Sequence, residues 1–470
     1  MSHMHVAGSL HADAVAAKPQ WLTLPDDVNV LDGRLWSANV RRGPGGVLEL
    51  AGLGVDSVVE QTGTPVYAVD EADFRTRARG FREAFAGWDV YYAGKSFLTT
   101  RVAGWVAEEG LCLDVCSGNE LAVALRGGME PARIGMHGNN KSNAELRYGI
   151  ESGVGRIIVD SLDEIGRLEQ ILQDTDRTVS VLVRVTTGVE AHTHDYIATA
   201  HEDQKFGVSV ADGQALDVVR RIREAPHLRF LGLHSHIGSQ NFGTAAFEEA
   251  ARVVVDFAAR IRDELGVETG AIDLGGGVGI AYTGQDPVPD SPAAVARALA
   301  GVVRERCESL RLPVPHVSTE PGRSVVGPAA LTLYTVGVVK DVSLPGGGVR
   351  RYVAVDGGMS DNIRPALYGA SYTAALAGRE GAEGLARCRI VGKHCESGDI
   401  VVRDVDLPAD VRAGDVIAVP ATGAYGYSMA SNYNMLTKPG VVGVSAGEPH
   451  WLVRPQGLDH LFALDAGLED

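Results

Sequence analysis

From about residue 65, two kinds of segment alternate along the chain. Short runs rich in β-branched and aromatic residues are separated by longer stretches whose apolar residues recur at helical spacing. The runs are VYYAGKS (90–96), LCLDVCS (111–117), IGMHGNN (134–140), RIIVDS (156–161), SVLVRVT (180–186), FLGLHSHIG (230–238), AIDLGGGVG (271–279) and HVSTEPG (316–322). Between them lie stretches such as TTRVAGWVAEEG, GNELAVALRGG and AAFEEAARVVVDFAARIRDEL. Eight such alternations predict an α/β fold, a (β/α)8 TIM barrel, over 65–325. Beyond 325 the rhythm changes to short β-type runs joined by Gly and Pro turns, among them LTLYTVGVVKDV, RRYVAVDGG, RCRIVGKHC and DVIAVPATG. These predict a C-terminal, mainly antiparallel β-domain over 326–470. Residues 31–64, with VLELAGLGV, are expected to add an early strand to it. Residues 1–30 show no period and are expected to form a loose arm.

Polar chemistry collects where each barrel run ends. Lys95, Asp114 to Ser117, His137 to Lys141, Asp160, Arg184, His234 to Ser239, Gly275 to Gly279 and Glu320 to Arg323 all occupy such positions. A barrel builds its active site from the C-terminal ends of its strands, so these segments are expected to share one mouth. Any one of them alone reads equally well as a loop with turn residues.

Composition narrows the classes. The chain is 45% hydrophobic and 22% charged, as in ordinary soluble proteins, and its net charge is −17. That excess of acid argues against nucleic acid or an anionic membrane surface as the main partner. No apolar run approaches the roughly 20 residues of a membrane helix, and the N-terminus lacks the pattern of a secretory signal. Five widely spaced cysteines, none in a C-x-x-C pair, suggest a reducing, cytoplasmic setting.

Several motifs carry specific chemistry. Lys95 in YYAGKSF follows a strand among apolar neighbours, where desolvation lowers an amine's pKa and frees its lone pair for imine formation. DLGGGVG places Gly275, Gly276 and Gly277 after a strand, so backbone N–H groups can approach a phosphate; it is neither a Rossmann fingerprint nor a P-loop. In EPGR, Glu320 could keep a pyridine nitrogen protonated and so make the ring an electron sink, and Arg323 offers a fork for an anion. HSHIGSQ carries His234, His236 and Ser239. Neither HExxH nor paired cysteines accompany them, so ring stacking and a phosphate hydrogen bond fit better than a metal, and no metal is assigned. The histidines at 192–194 are given no ligand role. KHCESGD presents Cys395, a candidate proton donor, beside Glu396. RPALY sets Arg364 and Tyr368 one helical turn apart, and GAYGYSMASNYN supplies Tyr425.

Together, YYAGKS, LDVCSGNEL, HGNNKS, HSHIGSQ, DLGGGVGI, EPGR, KHCESGD and GAYGYSMASNYN resemble the diaminopimelate decarboxylases. These belong to the alanine-racemase-like, barrel-type (fold type III) enzymes that use pyridoxal 5′-phosphate (PLP). The likeness runs from about residue 60 to about 435 in family order; CESGD, RPALY and SMASNYN look specific to that branch. It implies decarboxylation of meso-diaminopimelate to L-lysine, with Lys95 carrying PLP as an imine and His236 stacking on its ring. Ser239, Gly275, Gly276, Gly277 and Tyr425 would hold the phosphate. Glu320 would meet the pyridine nitrogen, and Pro321, Gly322 and Arg323 would complete the cofactor's surroundings. Arg323, Arg364 and Tyr368 would grip the distal carboxylate, Tyr425 would also bind substrate, Glu396 would meet the distal ammonium, and Cys395 would return a proton to Cα. The family's Cys395–Glu396 loop comes from a partner subunit, which implies a homodimer with shared sites. Many relatives have Gly-Gly where this chain has Gly118-Asn119, a departure expected to leave activity unchanged. Sister decarboxylases of ornithine, arginine or carboxynorspermidine, an amino-acid racemase and a PLP-binding regulatory protein are the competing readings.

Overall fold

The computed structural model describes residues 27, 29–189, 205–344, 348–382 and 384–468. The expected arm at 1–30 falls outside these apart from Asp27, Asn29 and Val30, and the histidines at 192–194 fall outside altogether. The chain divides into two compact units.

One unit spans 75–280 and 288–325. Its barrel strands are β1 (Asp89–Ala93), β2 (Cys112–Val115), β3 (Ile134–Met136), β4 (Arg156–Val159), β5 (Val179–Thr186), β6 (Leu228–His234), β7 (Ala271–Asp273) and β8 (His316–Thr319). Each pairs in parallel with the next, and β8 pairs back onto β1 through Ser318–Asp89 and Thr319–Val90, which closes the barrel. These are the eight runs expected from sequence. Most of their residues are buried, as parallel strands covered on both faces require. The helices between them are one-sided. Ala245–Leu265 buries Phe247, Ala250, Ala251, Val254, Val255, Ala258 and Ile261, the i, i+3, i+4, i+7 stripe of a surface helix.

Helix starts are set by serines close behind the strands. Ser117 and Ser161 accept N–H bonds from Glu120 and Glu164, and Ser142 with Glu145 forms a capping box. Such caps end each strand sharply and hold the turn residues at the mouth. Within the barrel, Arg156 is buried between Asp273 and Ser318 and lies 3.8 Å over the Tyr91 ring. Both terminal nitrogens of this buried cation are therefore partnered, one of them by a carboxylate.

The other unit comprises 1–74, 281–287 and 326–470. Its sheet runs in the order Ile400–Pro408, Leu385–Val391, Val349–Val355, Ala330–Ser343, Val66–Asp70, Gly440–Ser445, Glu448–Val453, and Val416–Pro420 also pairs with Ala330–Ser343. Two contacts in it are parallel and the rest antiparallel. The strand Val66–Asp70 joins this sheet, although the sequence reading starts the barrel at 65. All five of its residues are buried, because it is an interior strand flanked on both edges. The expected early strand, Leu48–Leu50, instead pairs with Val40–Arg42 and Leu53–Gly54 in a small sheet of its own. Leu48 and Leu50 still pack into a core with Trp36, Val55, Ala68 and Leu333. Among the described residues no helix is long and apolar enough to cross a membrane.

Candidate active site

Lys95 lies in a single 3-10 turn, Gly94–Ser96, directly after β1. The turn is pinned from below: Ser96 Oγ donates to the Ala93 carbonyl at 2.8 Å, and Tyr92 Oη donates to the Phe97 carbonyl at 2.8 Å. Gly94 is required there, since a Cβ would lie 2.8 Å from the Asp114 carbonyl oxygen. Lys95 is half-buried, and its charge acts on Asp114, Cys116, Glu120 and His236.

Glu320, just past β8, is buried against two imidazoles. His137 Nε2 is 3.0 Å from its Oε1, and His234 Nε2 is 3.3 Å from the carboxylate. Only the second contact has the alignment of a hydrogen bond; the first is close but off-line. The two rings meet edge to face, with centroids 4.9 Å apart. Burial pushes Glu320 up, but the electrostatic influence of the adjacent His137 and His234 outweighs it and holds the carboxyl well below its usual range. Burial lowers the pKa of both histidines, against the raising effect of the Glu320 carboxylate. Asp114, at the end of β2, behaves oppositely. Burial first and the Glu320 charge second raise it well above the usual range. His137, His234 and Glu320 thus bring ligand-type atoms within 4.8 Å of one another, but with both imidazoles turned on the carboxylate.

The glycine loop after β7 lies between its neighbours. A Cβ on Gly275 would be 2.6 Å from the Ser235 carbonyl oxygen, one on Gly276 2.0 Å from that of Glu320, and one on Gly277 2.1 Å from that of Gly238. Gly275 and Gly277 also have φ of +68° and +116°. The Gly276 N–H donates to His236 Nδ1 at 3.2 Å, which makes the other ring nitrogen, Nε2, the protonated one. Burial, Lys95 and Arg184 hold His236 well below its usual pKa, so the ring is neutral. Arg323, buried at the start of a short helix, donates to Ser239 Oγ through Nε and Nη2, both at 3.1 Å. Pro321 accepts from the Ala93 N–H at 3.0 Å, and a Cβ on Gly322 would lie 2.9 Å from that of Ala93, which locks the EPGR turn against β1. Lys95, His236, Ser239, Gly275 to Gly277 and Glu320 to Arg323 therefore all sit at strand ends of the barrel, as the sequence reading expects.

The remaining expected residues belong to the other unit. Arg364 opens the helix Arg364–Tyr368 and is buried. Its guanidinium carbon lies 5.4, 5.5 and 5.9 Å from the ring centroids of Tyr368, Tyr282 and Tyr425. Tyr425 has φ +59°, a strained conformation for a tyrosine, of the kind that collects at functional sites. Cys395 and Glu396 occupy an exposed turn, held where the Cys395 N–H donates to Asn434 Oδ1 at 3.2 Å and the His394 N–H to Asp399 at 2.8 Å. They are not gathered with Arg364 into one described cluster.

Sequence reasoning noticed Asp114 and His137 as polar strand ends but assigned them no role, and it missed the part His234 plays beside Glu320. Tyr282 and Tyr372 went unmarked altogether. Nothing in the local sequence flags Tyr282, because it lies in a seven-residue excursion, 281–287, that returns to the β-rich unit.

The chain matches the family described as pyridoxal-dependent decarboxylase, pyridoxal binding domain, over residues 71–327. It is 48% identical over 470 residues to the diaminopimelate decarboxylase of Mycobacterium leprae (strain TN), covering 98% of this chain and 99% of that one. It is 50% identical over 436 residues to that of Mycobacterium tuberculosis (strain H37Rv), covering 92% and 97%. Among solved structures, the diaminopimelate decarboxylase from M. jannaschii in co-complex with L-lysine superposes with a TM-score of 0.85 at 30% identity, covering 92% of this chain and 98% of that one.

Proposed function

The chain belongs to the diaminopimelate decarboxylase family of pyridoxal-dependent decarboxylases, and from that premise we propose the part each side chain plays. It is a carboxy-lyase that converts meso-2,6-diaminopimelate to L-lysine and CO2, the last step of lysine biosynthesis. PLP is its cofactor, and the donor set at the barrel mouth fits that molecule. Lys95 offers an amine for its aldehyde, Glu320 an ionised carboxylate for a pyridinium N–H, and Arg323, Ser239 and the glycine loop offer donors for its phosphate. When bound, the cofactor supplies an electron sink for the pair left by the breaking Cα–carboxylate bond. The neutral His236 ring supports that sink without adding positive charge, and its orientation is fixed by the Gly276 N–H.

Arg364 recognises the far end of the substrate. It is buried, and the groups acting on its charge are tyrosines rather than a carboxylate. A guanidinium so placed favours a substrate with a second carboxylate over ornithine or arginine. Tyr368 and Tyr425 line this position. Cys395 returns the proton to Cα and Glu396 meets the distal ammonium. Their exposed turn serves the site of a second copy, which makes the working form a homodimer in the cytoplasm. All five cysteines are free, as that compartment favours.

The observation that carries this reading is the buried Glu320, held ionised by two imidazoles among the same strand ends as Lys95. The test is Lys95→Ala. It should abolish covalent retention of PLP after borohydride reduction, read by mass, together with CO2 release from meso-diaminopimelate. Retention of a reduced cofactor adduct by Lys95→Ala would sink it.

A further inference from the structure

Arg364 is 4% exposed, and no carboxylate pairs with it among the described residues. Three tyrosine rings within 6 Å of its guanidinium carbon lend only the modest, weakly directional attraction of cation–π contacts. One contact is directional: Arg364 Nε donates to Tyr372 Oη at 2.9 Å. A guanidinium is a planar fork of five N–H donors, so fixing Nε fixes the plane and leaves the two Nη groups for a bidentate partner.

The local chain is built to make that bond. The helix Arg364–Tyr368 ends at Gly369 with φ +62°, and the Gly369 and Ala370 N–H groups both turn back to the Arg364 carbonyl. This reversal brings Tyr372 alongside the arginine it follows by eight residues. Tyr372 is itself fixed, being 3% exposed and meeting the buried Tyr282 ring edge to face at 4.9 Å.

We propose that Tyr372 is a positioning residue for substrate specificity: its hydroxyl, steadied by Tyr282, sets the plane of the Arg364 fork that takes the non-reacting carboxylate of the substrate. The inference rests on Arg364 being that carboxylate's partner. Tyr372→Phe keeps the ring packing and removes only the hydroxyl. It should raise KM for meso-diaminopimelate about tenfold, with kcat within about twofold, the visible absorbance of the loaded enzyme unchanged, and the inhibition constant of cadaverine, which has no carboxylate, unmoved. Tyr282→Ala, which loosens the Tyr372 ring, should shift KM in the same direction by less. If Arg364→Ala raises KM but Tyr372→Phe does not, the inference fails and the Arg364 reading stands. If Arg364→Ala leaves KM alone, both fall. If Tyr372→Phe weakens cadaverine as much as diaminopimelate, the hydroxyl is merely structural and the inference is overturned.

Discussion

Glu320 carries the one charge on which the proposed chemistry depends, and its surroundings decide that charge. His137 and His234 hold it well below the usual carboxylate range. A carboxyl depressed on folding adds stability that is present above its unfolded pKa and is lost as pH falls through its folded value. Glu320→Gln should therefore flatten the loss of urea resistance on the acid side, because Gln has no proton to gain. The same variant should lower kcat by about 10²–10³ while PLP stays bound, the scale expected for removing one preorganised charge from a buried site. Cofactor release in step with the lost activity would instead mark Glu320 as a binding residue. The EPGR motif marks Glu320 as a candidate in the bare sequence. That it faces His137 and His234, 183 and 86 residues away along the chain, was not legible, since nothing local couples β3 and β6 to β8.

The loop after β7 shows how one motif can satisfy two readings. Its glycines suggest either a phosphate cradle or a tight turn, and the packing requires the second whatever the first contributes. Gly276 has no room for a Cβ, which would sit 2.0 Å from the Glu320 carbonyl oxygen. Gly276→Ala should destabilise the chain by about 1–3 kcal/mol, the range for an overpacked buried site, and should weaken PLP retention because the backbone that must shift is that of Glu320. Urea unfolding with and without added PLP measures both effects. An alanine tolerated within about 0.5 kcal/mol would mean that the loop has slack. The eight strands were legible because parallel strands buried on both faces leave continuous apolar runs. Val66–Asp70 is also such a run, and sequence alone did not reveal that its neighbours are Ala330–Ser343 and Gly440–Ser445.

For the whole molecule, the expected residues divide between the units: the lysine, the phosphate loop and the pyridine carboxylate on the barrel, and Arg364, Cys395, Glu396 and Tyr425 on the other. The exposure of Cys395 suits a group that works in a second copy. In the proposed homodimer, co-expressed Lys95→Ala and Cys395→Ala chains should recover about a quarter of wild-type CO2 release, since half the dimers would be mixed and each mixed dimer would keep one complete site. Mixed dimers, separated by different tags, that remain inactive would show that each site draws both groups from one chain.

Sequence by itself determined the barrel, its eight strands in order, and the candidates at their ends. Apolar periodicity and strand-end polarity are local properties, and they survive in the bare order of residues. Only the tertiary structure decided that the Glu320 carboxyl is held low while that of Asp114 is pushed up, that the three glycines are wedged between neighbouring loops, and that Tyr372 and Tyr282 frame Arg364. Those outcomes depend on burial and on distances of 3–5 Å between residues remote in the chain. Lys95 was already prominent in the sequence, but its charged and neutral neighbours come from other strands, and closure of the barrel sets them around it.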